Sequence, residues 1–514
     1  MSKNIIVCAD GTGNKGGYSP DSNVYKVYNA VEKNIFGKDA DGNVVAEQVL
    51  FYDNGVGTNK NKYLRALGGA FGFGFEDNVC DLYKFLARNY CDGDKIYFFG
   101  FSRGASTIRA CNGMISKCGL TKAEGLQNFQ LEERVKEAFH AYKKHEKKPS
   151  IAIELKKSDR SHGVVDIQFM GIWDTVVALG FPKRTDVTGP VTFVLNILFY
   201  VFETILNIFW PHDFYYYKLT DNVLYGCQAL AIDDERTAFW PYIWQEKGVP
   251  GITERTEDNV EQIWFAGMHS NVGGGYERSG MANIPLYWVL RRAKKHGLKI
   301  EEGALQDIYD TGHVHGRMYN SRDGFGFFYR YHPREIEKLC KDKLLGEIKI
   351  HCSVMQRMSH RTANYVPAYI PGKFEVSGSR MPADDESVAR VLRNPGEDDK
   401  WARVRKKIDN VVLWRKRLYG AMLAAVISIL CFALYFRNNP PQLWEHDGWN
   451  GSIAEILTTM LPDFFSGLIE VAVAQNPLYF VLFVVLLIIY FKTRAYLYGK
   501  TVSLGEILRH FIIK

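Results

Sequence analysis

Lys95-Ile-Tyr-Phe-Phe-Gly-Phe-Ser-Arg-Gly-Ala-Ser-Thr-Ile-Arg109 is the stretch that decides the fold. The apolar run Ile96 to Phe99 predicts a buried strand, and the residues after Gly104 predict a helix. Between them, Gly100-Phe101-Ser102-Arg103-Gly104 fits Gly-x-Ser-x-Gly in the strand–turn–helix setting that a nucleophile elbow needs. Such a turn strains the serine backbone, so the neighbours pressed against it must be small, and Gly100 and Gly104 meet that demand. The hydroxyl would stand at the carboxyl end of a sheet, with the Arg103 amide facing an oxyanion from a helix N-terminus. The alternative is a Gly/Ser-rich turn without chemistry.

Two partners are expected, and they follow in the order Ser…Asp…His of α/β-hydrolase triads. Val164 to Gly171 predicts another strand, and Asp174 comes just past it in Ile172-Trp-Asp-Thr-Val176. An acid there can orient a histidine and stabilise its imidazolium; its other reading is a turn or helix-cap acid. His269 lies in Trp264-Phe-Ala-Gly-Met-His-Ser-Asn-Val-Gly-Gly-Gly-Tyr276, a glycine-rich loop after the short strand Ile263 to Ala266, as a general base on a late strand should. His212, in Pro211-His-Asp213, is the chief competitor for the base. Asp10-Gly-Thr-Gly-Asn14 follows the first strand at the same sheet edge, and the Gly11 or Thr12 amide is the expected second oxyanion donor. Asp10 would orient that loop. An aspartyl phosphotransferase is excluded by Thr at position 12, and a phosphate loop by the missing Gly-Lys-Ser/Thr ending. Asp10 with Asp53 does not make a metal site, and no cofactor is expected.

The motifs 100–105, 171–176 and 264–276, with Val7-Cys-Ala-Asp-Gly-Thr-Gly-Asn14, Gly55-Val-Gly-Thr58 and Ala229-Leu-Ala-Ile-Asp-Asp-Glu-Arg236, recur in one order. From about residue 3 to about 375 the chain resembles the α/β-hydrolase family that includes the phospholipase effectors of bacterial type VI secretion. The resemblance implies a serine esterase acting on phospholipid acyl esters with Ser102, Asp174 and His269 as its triad. It also implies a phospholipid membrane, a secretion spike or adaptor and a cognate immunity protein as partners. Two positions depart from the family: Asn271 where Asp is usual, and Gln228 where His is frequent. Neither maps to the triad.

Outward from the elbow, strand-like and helix-like segments alternate: Ile5 to Ala9, Ser22 to Glu32 (Asp21 as a cap), Glu47 to Tyr52, Gly74 to Tyr90. This predicts an α/β class, a mostly parallel sheet with helices on both faces. Residues 121–160 are charged and helical in pattern, Leu286 to His296 is a helix, and 300–395 reads as a loop-rich cap. The expected domains are 1–385 for catalysis, 386–417 as a basic linker and 418–514 as a membrane region. Val191 to Trp210, apolar except for Asn196, Glu203 and Asn207 on one helical face, is a lid or membrane-docking insert, or an ordinary packed helix.

Leu418 to Phe436 carries no charge and is flanked by Arg415-Lys-Arg417 and Arg437, which fits a transmembrane helix. A second span is expected over about 472–491, followed by a short basic tail. The loop 437–476 holds one Arg and no Lys, so the positive-inside rule puts the catalytic domain and tail on the cytoplasmic side. Delivery into another cell would make the orientation depend on insertion there. The chain's 514 residues, 46% hydrophobic and 24% charged, are those of a globular protein, and a net charge of +7 with no basic–aromatic repeat argues against nucleic acid. Nine scattered cysteines without a Cys-x-x-Cys pair point to free thiols in a reducing compartment. Met1-Ser-Lys-Asn leads straight into a strand, without a signal peptide.

Overall fold

Along β1 (Asn4–Ala9) the side chains divide between two cores: Ile5, Val7 and Ala9 pack to one side and Ile6 and Cys8 to the other. A strand apolar from Ile5 to Ala9 is buried on both faces, which is the condition for a parallel sheet covered by helices. The computed structural model describes residues 2–18, 20–33, 35–38, 44–55, 74–176, 218–248, 253–256, 258–378, 395–435, 448–460, 466–475 and 477–513. The apolar insert 191–210 and His212 lie outside the described residues.

A side hairpin pairs β2 (Phe36–Lys38) with β3 (Val44–Ala46). The main sheet then takes β4 (Gln48–Asp53), β5 (Lys95–Phe101), β6 (Ile167–Trp173), β7 (Gly226–Ala231), β8 (Val260–Phe265), β9 (Lys349–His351) and β10 (Glu375–Ser377). Its order is β10-β9-β8-β7-β6-β5-β1-β4, and every neighbouring pair is parallel. The chain leaves β1 for β4 on one side and returns to β5 on the other, so the strand order reverses between β1 and β5. Such a reversal opens a crevice at the carboxyl ends of the strands. The loop after β1 and the turn after β5 flank it.

The helices Phe75–Asn89, Arg103–Cys118 and Asn128–Lys143 cover one face, and Asn23–Ala30 and Gly280–Lys295 cover the other. Ser22, not Asp21, caps the helix Asn23–Ala30, its hydroxyl accepting from the Tyr25 amide. All nine cysteines are free thiols.

The C-terminal region differs from the expectation. Residues 399–417, read as a basic linker, form the first half of the 37-residue helix Asp399–Tyr435. Trp401, Val404, Ile408 and Val412 share one core with Trp264 of β8, Ile350 of β9 and Met355 of the helix Cys352–Ser359. The 36-residue helix Pro477–Ile512 runs back beside it and buries Leu508 and Ile512 in that core, so the expected tail is a structural helix. It starts at Pro477, where a missing N–H costs nothing, and Glu470–Gln475 is a separate π turn, so the apolar run expected from 472 is interrupted. Among the described residues this one helix is long and apolar enough to cross a membrane. Ile488 and Ile489 are 51% and 54% exposed, whereas Leu508 and Ile512 are fully buried. β9 and β10 fall within the segment read as a loop-rich cap.

Candidate active site

The sheet ends bring the expected residues to one edge. Phe101 is in register with Trp173, Trp173 with Ala229, and Ala231 with Phe265. Ser102 directly follows β5, Asp174 directly follows β6, and His269 opens the short helix His269–Gly273 after β8. Ser102 has φ 57° and ψ −121°, and Asp174 has φ 41°. Both are side-chain-bearing residues in the left-handed half of backbone space, which marks positions held by their surroundings. The Ser102 amide donates to the Trp173 carbonyl at 3.1 Å and its carbonyl accepts from the Val176 amide at 3.3 Å, which ties the elbow to the Asp174 turn.

Close approach explains the glycines. A Cβ on Gly104 would sit 2.1 Å from the Ala9 carbonyl oxygen, and one on Gly273 would sit 1.9 Å from the Phe101 ring. The elbow helix therefore lies against the end of β1, and the histidine loop lies against the residue before Ser102. The Phe101 and His269 rings are 4.6 Å apart between centroids.

His269 Nδ1 and Asp174 Oδ2 are 2.6 Å apart, both side chains buried. Among the described residues, His269 Nε2 has no hydrogen-bond partner. The imidazole thus uses one nitrogen on the acid and leaves the other without a partner among the described residues, Ser102 included. The Ala231 amide donates to Asp174 Oδ1 at 2.9 Å, and Arg334 donates to both carboxylate oxygens, at 2.6 and 2.7 Å. Burial pushes the Asp174 carboxyl up, but the Arg334 guanidinium and the His269 contact outweigh it and hold it below the ordinary carboxylate value. Burial pushes the His269 imidazole down, and the Asp174 contact only partly offsets this. Asp234, fully buried, accepts from the His269 amide at 3.2 Å and from Arg236 at 2.7 Å. The Arg236 guanidinium lies over the Phe239 ring, which packs edge-on to His269.

The loop after β1 corrects one expectation. Asp10 accepts from the amide of Gly11 at 2.6 Å, from Asn14 at 3.0 Å and from Tyr52 at 2.5 Å, and also from the Ser22 hydroxyl. It orients the loop as expected, but the acidic side chain captures the Gly11 amide, which is no longer a free oxyanion donor. Thr12 remains, with its buried hydroxyl unpartnered among the described residues. Arg103 is the first residue of the elbow helix, where amides lack intrahelical acceptors. Asn271 caps its own turn, accepting from the Met268 amide and donating to the Arg317 carbonyl. Gln228 is buried against Arg109, which donates to it at 2.6 Å. The acid on His269 is Asp174 and not a residue of the histidine loop.

Three contributors were missed from sequence. Asp234 and Arg236 stood in a quoted motif, Ala229 to Arg236, and its acid–acid–acid–base cluster directly after a strand was the available signal. Arg334, in Tyr331-His-Pro-Arg334, carried none.

A parallel sheet with a strained serine after one strand, an acid after the next and a histidine after a later one defines an α/β protein built like a hydrolase. Over residues 3–292 the chain matches the family model described as "T6SS, Phospholipase effector Tle1-like, catalytic domain", and it belongs to that family. It is 25% identical over 419 residues to an uncharacterized protein of Saccharomyces cerevisiae, covering 60% of this chain and 59% of that protein. The chain thus spans about three-fifths of the length of that curated relative. Among solved structures, an uncharacterized protein from Pseudomonas aeruginosa is 15% identical with a TM-score of 0.37, covering 82% of this chain and 59% of that one. A Tle1 effector bound to the VgrG spike of the type VI secretion system is 17% identical with a TM-score of 0.26, covering 54% and 51%.

Proposed function

We propose that the chain is a membrane-attached serine hydrolase that cleaves phospholipid acyl esters, a phospholipase A or lipase. The observation that carries this reading is the buried Asp174–His269 pair, 2.6 Å apart, with Nε2 unpartnered beside the elbow. His269 Nε2 takes the proton of the Ser102 hydroxyl as Oγ attacks the acyl carbonyl. Asp174 accepts from Nδ1–H, which fixes the tautomer and stabilises the imidazolium that forms. The amides of Arg103 and Thr12 hold the oxyanion. The imidazolium then protonates the departing lysolipid oxygen, and water, activated by the same nitrogen, releases the fatty acid.

The family's description as a phospholipase effector supports the lipid substrate. The half-exposed apolar face of Pro477–Ile512 supports membrane attachment, with the catalytic domain on the cytoplasmic side of the bilayer it enters. By the same family argument, the partners are a phospholipid membrane, a secretion spike or adaptor, and a cognate immunity protein. The test is mass spectrometry of defined phospholipids incubated with wild type and with Ser102→Ala. Release of fatty acid and lysolipid by wild type alone is expected. Equal release by Ser102→Ala overturns the mechanism, and cleavage of soluble esters or thioesters without lipid cleavage changes the substrate class.

A further inference from the structure

We infer that Arg334 is a positioning residue for the proposed triad: its guanidinium fork fixes the Asp174 carboxylate on His269 and sets how acidic the medium can become before the base is lost. The inference rests on the hydrolase reading above. Arg334 is fully buried, and it donates to Asp174 Oδ1 at 2.6 Å and to Oδ2 at 2.7 Å. The same two nitrogens also donate to the carbonyls of Ala231, at the end of β7, and of Phe239, whose ring packs on His269. One side chain thus grips the acid, the strand end beside it and the residue that faces the imidazole. A planar fork can do this and an ammonium cannot.

The consequence is electrostatic as well as geometric. A buried carboxylate with a neutral histidine as its sole partner has no countercharge, and it would either take up a proton or draw one onto the imidazole. The fork supplies that charge. The charged groups acting on His269 are then Asp174, held by Arg334, and Asp234, held by Arg236. These are two neutralised ion pairs, so a proton on the imidazole leaves the buried cluster with a net positive charge. The ring therefore resists protonation and stays a base into acid. Without Arg334, Asp174 faces the ring uncompensated, and the imidazolium becomes easier to form.

The test uses the full chain in nanodiscs and the rate of labelling by a fluorophosphonate, with turnover of a short-chain ester measured in parallel across pH. In Arg334→Met the acid limb of the labelling rate should move up by about one pH unit, with kcat down by about 100-fold and KM for the short ester unchanged. Arg334→Lys keeps the charge and loses the fork, so kcat should fall by about 10-fold while the limb stays in place. Wild-type kcat and limb in both variants overturn the inference. So does a loss equal at every pH that matches the loss of folded protein, which is what a merely structural arginine would give. Should neither variant fold, Arg334→Gln is read in the same way, since its planar amide can still donate to Asp174 but carries no charge: a limb moved up supports the inference, and a limb left in place overturns it. If wild type is not labelled, or Ser102→Ala is labelled equally, the hydrolase reading fails and not this inference alone.

Discussion

Ser102 holds a left-handed backbone, φ 57°, that a glycine would adopt without penalty. Strain of this kind costs on the order of 1–3 kcal/mol, so Ser102→Gly should raise stability by about 1 kcal/mol while abolishing labelling and hydrolysis. Calorimetry and fluorophosphonate labelling check the pair of outcomes, and a serine substitution that stayed active would remove the nucleophile from the mechanism. The two other members of the proposed triad should part company in stability. Asp174→Ala strands a buried guanidinium and should cost about 3–5 kcal/mol. His269→Ala leaves the Asp174–Arg334 pair intact and should be as inactive but nearly as stable as wild type. Burial depresses the His269 pKa, so the unfolded chain binds this proton more tightly than the folded one. The contribution of this group to stability is therefore present above pH 6.5 and is lost as pH falls through the folded value. The acid limb of kcat/KM should lie below 6.5 for the same reason; a limb above it would show that Asp174 outweighs burial. The placement of Ser102, Asp174 and His269 at one sheet edge was readable because each follows a strand whose apolar run announces it. Arg334 was not, since a lone arginine after a proline has no periodicity, and its partner is 160 residues away.

At the scale of elements, the packing of loops on the elbow is what makes the site. Gly273 and Gly104 meet their neighbours at distances no Cβ can occupy, 1.9 and 2.1 Å. Gly273→Ala and Gly104→Ala should each cost about 1–3 kcal/mol by overpacking, and they should cut esterase turnover more than stability because the shift falls on Phe101 or on the loop after β1. Thermal denaturation beside short-ester kinetics separates the two effects; a wild-type turnover in Gly273→Ala would mean the histidine loop is not pressed on the elbow. The strands β1 and β5 were legible because they are buried on both faces and read as apolar runs, and β4, β6 and β8 because each carries a short apolar stretch, Val49 to Tyr52, Phe169 to Trp173 and Ile263 to Phe265. β9 and β10, three residues each at the sheet edge, are too short to show any period. The role of Asp10 was legible, but the capture of the Gly11 amide was not, because it depends on the rotamer that Ser22 and Tyr52 impose on the carboxylate.

Across the whole molecule, the two long helices join the catalytic core to the apolar segment. Arg415 forks onto Glu235 at 3.0 Å, one residue from Asp234 of the site, and its guanidinium lies over Tyr331. Lys416 lies 2.7 Å from His332, two residues before Arg334. Arg494 donates to the Arg322 carbonyl at 3.1 Å. These cations sit where the apolar halves begin, so the residues that the positive-inside rule counts are also the brackets that fix the helices to the rest of the fold. A sequence reading sees only their charge, and hence takes 399–417 for a linker.

That arrangement decides how the apolar segment can be removed. Ending the chain at residue 410 would strip Val412, Leu508 and Ile512 from the core and break the Arg415–Glu235 fork, so it should give insoluble protein. Replacing Leu423–Leu486 by a linker of about four Gly/Ser residues keeps both packed halves. Helices in contact lie about 8–10 Å apart, within the roughly 13 Å that four residues reach. It retains Met422 and Tyr490, which pack with Phe327. The shortened protein should be soluble and cleave short, dispersed esters at close to the wild-type rate, since every residue of the proposed triad and its support lies in the retained part. On liposomes in detergent-free buffer it should be slower by about 100-fold or more, because the bilayer no longer concentrates enzyme and substrate together. Liposome hydrolysis as fast as that of the full chain would show that the long helices brace the catalytic domain and contribute nothing to its access to lipid.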